Sequence, residues 1–284
     1  MGIDKDVAKF LLAAREQKVN FQKSLTLGKQ QFQVSGSDYK TLAESFNLEK
    51  SSTVKDSEEF FRLLGAKEIS AMDFSDYEGA AILHDLNEPI GDELKEKFTL
   101  VLDGGTLEHI FNFPVALANA MEMVAVGGHL AVITGGNNFF GHGFYQFSPE
   151  LFFRAFEVEN GFVVERMIAA EVGNRWYEVA DPKEIGGRVE LINDRPVYLM
   201  VLARKLERRT LFAQTPQQSD YVAKWHDETD GKRDGNAAGQ LRNLLKKNAF
   251  VRQILINLKQ GQVENLALKE RSFTNKKLFK LVDK

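Results

Sequence analysis

The sequence predicts an α/β protein with a doubly wound, mainly parallel sheet. Short apolar runs alternate with segments of helical period, and several runs are apolar throughout, as strands covered on both faces are. Three successive runs end in an acid: Asp73, Asp85 and Asp103. In open α/β sheets ligands bind beyond the carboxyl ends of the strands, so acids placed there are site candidates.

Residues 3–17 form an amphipathic helix, with Val7, Phe10, Leu11 and Ala14 at helical spacing. "KSLTLGK" (23–29) is a strand, and "SDYKTLAESF" (37–46) is a helix that Ser37 or Asp38 caps. "DSEEFFRLLG" (56–65) is a helix with an acidic first turn and Gly65 as its stop. "KEISAMD" (67–73), "AAILHDLN" (80–87) and "KFTLVLDGG" (97–105) are strands. "NFPVALANAMEMVAV" (112–126) is a helix closed by Gly127 and Gly128, and "HLAVIT" (129–134) is an apolar strand. Ser148 and Pro149 start a helix over 148–161. Strands over 162–172 and 196–206 follow, separated by a polar loop, and lacking a helix between them they form an antiparallel edge. Residues 1–22 are thus an N-terminal helix, 23–206 an α/β domain and 207–284 a basic appendage. Within the appendage "QLRNLLKKNAFVRQILINLKQ" (240–260) is an amphipathic helix. Its apolar stripe packs on the body, in a homodimer, or on another protein or a membrane.

Composition narrows the function classes. The chain has 284 residues, 43% of them apolar, enough for a substantial core. The absence of Cys excludes disulfides, thiolate metal sites and a Cys nucleophile. No apolar run approaches the roughly 20 residues that span a bilayer. "MGIDKD" has Asp6 where a myristoylation signal needs Ser or Thr, and no secretory signal is legible, so a cytoplasmic location is expected. Residues 207–284 carry 16 Lys+Arg against 9 Asp+Glu (+7), and the remainder 21 against 31 (−10). An acidic body argues against a nucleic-acid surface over the whole protein. "LGKQQF" is not G-x-G-x-x-G, "TGGNNFFGHG" lacks the Lys-Ser/Thr of a phosphate loop, and "VSGSD" is not G-x-S-x-G.

In "LVLDGGTLEHI" (100–110) an apolar strand stops on Asp103 and is followed by Gly104 and Gly105. One reading makes Asp103 a strand-end carboxylate near a ligand, with the glycines clearing the pocket floor. The other makes it a turn or helix cap, with glycines supplying positive φ. Strand-end carboxylates suit a nucleotide-like ligand, whose ribose hydroxyls they can accept. Asp73 is the natural ribose acid.

"LVLDGGTLEHIFNFPVALANAMEMVAVGGHLAVIT" resembles the fourth strand, following helix and fifth strand of class I S-adenosylmethionine-dependent methyltransferases. The resemblance covers roughly residues 23 to 206 and implies a Rossmann-like, seven-stranded sheet whose last strand is antiparallel. It implies S-adenosylmethionine as cofactor, with Asp73 and Phe74 on the ribose side, Asp85 and Leu86 flanking adenine, and Gly28, Asp103 and Gly104 toward the methionine end. The first loop, "SLTLGKQQFQV", departs from the pattern, having one glycine and no neighbouring acid. Either the pocket is modified, with Lys29 or Gln30 helping, or cofactor binding has been lost.

The loop "TGGNNFFGHGFYQFSPE" (134–150) concentrates Gly, Asn, His and Tyr after the fifth strand, where substrate is commonly held. His142 is the candidate general base, its ordinary pKa near 6.5 suiting that task, and Tyr145 orients the acceptor. His109 is a third, weaker candidate. Alternatively these side chains pin the loop. No metal site is expected, because Glu108 and His109 point apart and no further ligand pair is evident in the sequence. The reaction is in-line methyl transfer to a small-molecule or sugar hydroxyl. A second reading, of another class, is a non-catalytic binding or scaffold protein.

Overall fold

The computed structural model describes residues 2–48, 54–222 and 268–282. Nine strands form one sheet: β1 Lys23–Leu27, β2 Glu68–Asp73, β3 Ile82–Leu83, β4 Phe98–Asp103, β5 Val124–Asn137, β6 Phe162–Glu171, β7 Trp176–Val179, β8 Val197–Lys205 and β9 Phe279–Leu281. Their order is β3-β2-β1-β4-β5-β8-β6-β7-β9. The run from β3 to β5 is parallel, and every pairing from β5–β8 onward is antiparallel. The doubly wound expectation holds, with β1 beside both β2 and β4 at the point where strand order reverses.

Side chains alternate across the strands, so each feeds two cores. Leu100 and Leu102 join Ala131, Ile133, Met200 and Leu202 beneath α1 (Lys5–Glu16) and α3 (Ser57–Leu64), which contribute Phe10, Leu11, Phe60 and Phe61. Val101 joins Leu130, Val132 and Val201 on the opposite face, beneath α4 (Phe113–Met123) and α5 (Pro149–Ala155), which contribute Leu117, Met121 and Phe152. Asp56 caps α3 by accepting from Glu59 N, and Gly65 ends it in the left-handed region, as the sequence indicates.

Several expectations are corrected. The sheet has nine strands rather than seven, and β8 is no edge: it lies inside the sheet, antiparallel to both β5 and β6. Its apolar, β-rich sequence, buried on both faces, is that of an interior strand. The polar loop between β6 and β8 holds β7 and a short helix, α6 (Pro182–Ile185). Trp176 of β7 donates its indole N–H to Asp6 of α1, so this four-residue strand depends on a distant partner. The cap of α2 (Gly36–Ser45) is Ser35, not Ser37 or Asp38. Gly127 and Gly128 do not stop α4: they lie within β5, where its register against β4 shifts between Phe98 and Leu100. The helix from Pro149 ends at Ala155, whose carbonyl accepts from the Asn160 side chain, and a 3-10 turn follows. β9, from the stretch read as an appendage, pairs with β7. The helix expected over 240–260 lies outside the described residues. No helix among the described residues is long and apolar enough to cross a membrane.

Candidate functional site

The ends of β1, β2 and β4 enclose a cavity of about 290 Å³. It is lined by Gly28, Asp73 and Thr106 together with Lys29, Gln30, Gln31 and Gln33 of the first loop and Glu78. Gly28 leaves β1 with φ +69° and donates its N–H to Met72 O, which ties the first loop to β2. Asp73 ends β2, and its Oδ1 accepts from Phe74 N at 2.7 Å. Thr106 joins the β1 and β4 ends by donating from Oγ1 to Leu27 O at 2.8 Å.

Gln30 is the residue whose placement the sequence does not reveal. Its side chain is buried, and Nε2 donates to Leu27 O at 3.0 Å and to Gly28 O at 3.4 Å. Oε1 has no hydrogen-bond partner and lies over Gly104, where a Cβ would collide with it. The lack of a side chain at Gly104 is what gives the Gln30 carboxamide its room. Lys29 spans the cavity lining, donating from Nζ to Glu78 O at 2.7 Å.

Asp103 is completely buried at the end of β4. Its Oδ1 accepts from Thr106 N at 2.8 Å and Leu107 N at 3.2 Å, so it caps the 3-10 turn Leu107–His109. Oδ2 has no partner. Burial, reinforced by the nearby Glu108 carboxylate, pushes the Asp103 pKa up to about 8. Both sequence readings of Asp103 thus concern one side chain, which shapes the turn through one oxygen and leaves the other unsatisfied.

That turn carries a second cluster. Glu108 is fully buried, and neither carboxylate oxygen has a hydrogen-bond partner. His142 Nε2, on the loop after β5, stands 3.5 Å from Glu108 Oε1. The His109 and His142 rings meet edge to face, 5.0 Å between centroids. The loop is held on the turn by its backbone, since Phe144 N and Tyr145 N donate to Glu108 O at 2.8 and 3.3 Å. Tyr145 donates its hydroxyl to Phe111 O at 2.7 Å. The sequence distance of 34 residues between Glu108 and His142 hides this convergence.

The remaining candidates lie apart from the cavity lining. Asp85 sits in a turn past β3, where Asn87 donates to it from both backbone and side chain and holds its pKa below the usual carboxylate range. Leu86 is buried in the core beneath α4. Phe74 is 75% exposed. A larger cavity, about 560 Å³, lies against Arg154, Lys183 and residues 213–217, remote from the strand ends.

No family model matches the chain, and no curated protein matches its sequence. Among solved structures it is similar to a branched-chain polyamine synthase from Thermus thermophilus in complex with N4-aminopropylspermidine and 5′-methylthioadenosine. Identity is 15% over 75% of this chain and 59% of that one, with a TM-score of 0.40. A 1,6-didemethyltoxoflavin N1-methyltransferase from Burkholderia thailandensis, with bound 1,6-didemethyltoxoflavin and S-adenosylhomocysteine, matches at 15% identity over 72% and 78%, TM-score 0.38. A structure from Listeria monocytogenes named as an S-adenosylmethionine-dependent methyltransferase matches at 14% identity over 70% of this chain and 99% of that one, TM-score 0.39. The chain spans less than two thirds of the polyamine synthase. The strand order and the antiparallel β8, rather than these distant likenesses, give the chain a Rossmann-like α/β fold.

Proposed function

We propose that this protein transfers a methyl group from S-adenosylmethionine to a hydroxyl of a small molecule or sugar. The observation that carries the reading is one sheet edge holding both a strand-end cavity with the Asp73 carboxylate and, one turn away through Thr106, the cluster Glu108, His109 and His142. When bound, the cofactor supplies an activated methyl on a sulfonium.

Asp73 is the ribose acid in this reading: Phe74 N occupies one direction of Oδ1, and the carboxylate keeps acceptor capacity for two hydroxyls. Phe74 is kept on the ribose side, Asp85 and Leu86 are assigned to the adenine side, and Gly28, Gly104 and the Asp103 turn to the methionine end. Gln30 occupies the space over Gly104 and must turn off it to admit the methionine end in this reading. The 134–150 loop positions the acceptor, with Tyr145 beside it. The acceptor oxygen would form its bond to the methyl carbon as the carbon–sulfur bond breaks, with His142 taking the hydroxyl proton as general base. Alignment of oxygen, carbon and sulfur provides most of the acceleration.

Gln30 in the cavity favours the second reading, a methyltransferase-like scaffold that has closed its pocket. Calorimetric titration with S-adenosylhomocysteine separates the two. Binding in the micromolar range supports transfer, and no binding at millimolar ligand supports the scaffold.

A further inference from the structure

We propose that Glu108, His109 and His142 form a binding site for a divalent transition-metal ion. The site's existence does not depend on methyl transfer, and its use in catalysis rests on that reading.

One ligand atom from each of the three residues lies within 4.8 Å of the others. Nitrogen and oxygen ligands at about 2.0–2.2 Å from zinc are separated by roughly 3.3 Å in a tetrahedron. Side-chain rotations that close the longest side of the triangle by up to about 1.5 Å complete the geometry, and His142 Nε2 and Glu108 Oε1 already stand 3.5 Å apart. Two imidazoles and one carboxylate are a zinc, cobalt or iron set, whereas magnesium and calcium take oxygen almost exclusively.

Glu108 supplies the independent observation. It is fully buried with both oxygens lacking a donor, and His142 Nε2 is likewise buried and unpartnered. Buried polar groups without partners are costly, and a cation between them satisfies the carboxylate and the imidazole together.

The scaffold holds the ligands in place. Asp103 fixes the turn bearing Glu108 and His109 through Thr106 N and Leu107 N. The His142 loop is fixed on the same turn by Phe144 N donating to Glu108 O. His109 is exposed, so the three protein ligands face solvent on one side and leave coordination positions for an oxygen ligand. An ion held there would act as a Lewis acid, lowering the pKa of an acceptor hydroxyl beside the three ligands. His142 then acts as a ligand instead of a free base.

The test uses the full chain, stripped with a chelator and titrated with Zn²⁺ by calorimetry and with Co²⁺ by visible absorption. One ion per chain with Zn²⁺ affinity in the micromolar range or tighter is expected, with Mg²⁺ at least a hundredfold weaker. Glu108→Gln and His142→Ala should each weaken Zn²⁺ at least tenfold, and their melting curves without metal check that they fold. Absence of one-to-one uptake by the wild-type chain overturns the site, as does uptake unchanged in folded variants. Metal uptake without S-adenosylhomocysteine binding supports the site and removes only its proposed use in methyl transfer.

Discussion

Truncating Gln30 should open the strand-end pocket. In the structure its carboxamide is held by Nε2 donating to Leu27 O at 3.0 Å, with a weaker contact to Gly28 O at 3.4 Å. A ligand that needs the space over Gly104 must break this arrangement. One neutral hydrogen bond is worth about 0.5–1.5 kcal/mol net, and the orphaned Oε1 adds nothing to the closed position. Gln30→Ala removes that cost in advance. About 1 kcal/mol corresponds to S-adenosylhomocysteine binding roughly fivefold more tightly. Leu27 O keeps the Thr106 hydroxyl at 2.8 Å, so the unligated variant should melt close to the wild type. Calorimetric titration of both chains is the assay. Weaker binding by Gln30→Ala would refute the reasoning and make Gln30 a ligand contact. Equal binding would place the ligand elsewhere.

Other consequences are independent of that pocket. Asp56→Ala removes the cap of α3 and should cost about 1 kcal/mol in urea unfolding, with Asp56→Asn recovering most of it; equal stability of the Ala variant and wild type would contradict the cap. Tyr145→Phe loses the hydroxyl bond to Phe111 O but keeps ring packing against Phe113 and Phe147. About 1 kcal/mol of local stability should disappear, read as roughly fivefold faster amide exchange at Phe144; unchanged exchange would contradict an anchoring role. His129 has its pKa lowered by burial, against the opposing pull of Glu165 on β6, while Arg204 on β8 adds to the lowering. The unfolded chain therefore binds this proton more readily, and the stability it contributes is complete above about pH 6.5 and lost as pH falls through the lower folded value. The melting temperature should drop more between pH 7 and 5 in wild type than in His129→Gln, and parallel curves would contradict this.

Local signals in the sequence locate most of the fold. The spacing of Val7, Phe10 and Leu11 gives α1, and the Asp56-to-Gly65 pattern gives α3 with both of its ends. β4 and the core of β5 are legible because strands buried on both faces read as unbroken apolar runs. The place of β8 between β5 and β6 is not legible, because strand neighbours are set by long-range pairing. β7 and β9 are too short to carry a period, and they form where Asp6 and the C-terminal residues meet them. At the site, Asp73 and Gly28 follow from their positions at strand ends. Gln30 is offered by the sequence only as one of two loop residues near the pocket, and that its side chain is buried over Gly104 is seen only in the fold. The pairing of Glu108 with His142 also needs the fold, because the loop after β5 must lie back on the turn after β4.

The most direct test of the central claim is calorimetric titration of the wild-type chain and Asp73→Ala with S-adenosylhomocysteine, each checked for an unchanged melting temperature before ligand is added. The account predicts one-to-one micromolar binding by the wild type and at least tenfold weaker binding by the variant. No binding at millimolar ligand, or equal binding by both chains, would contradict it.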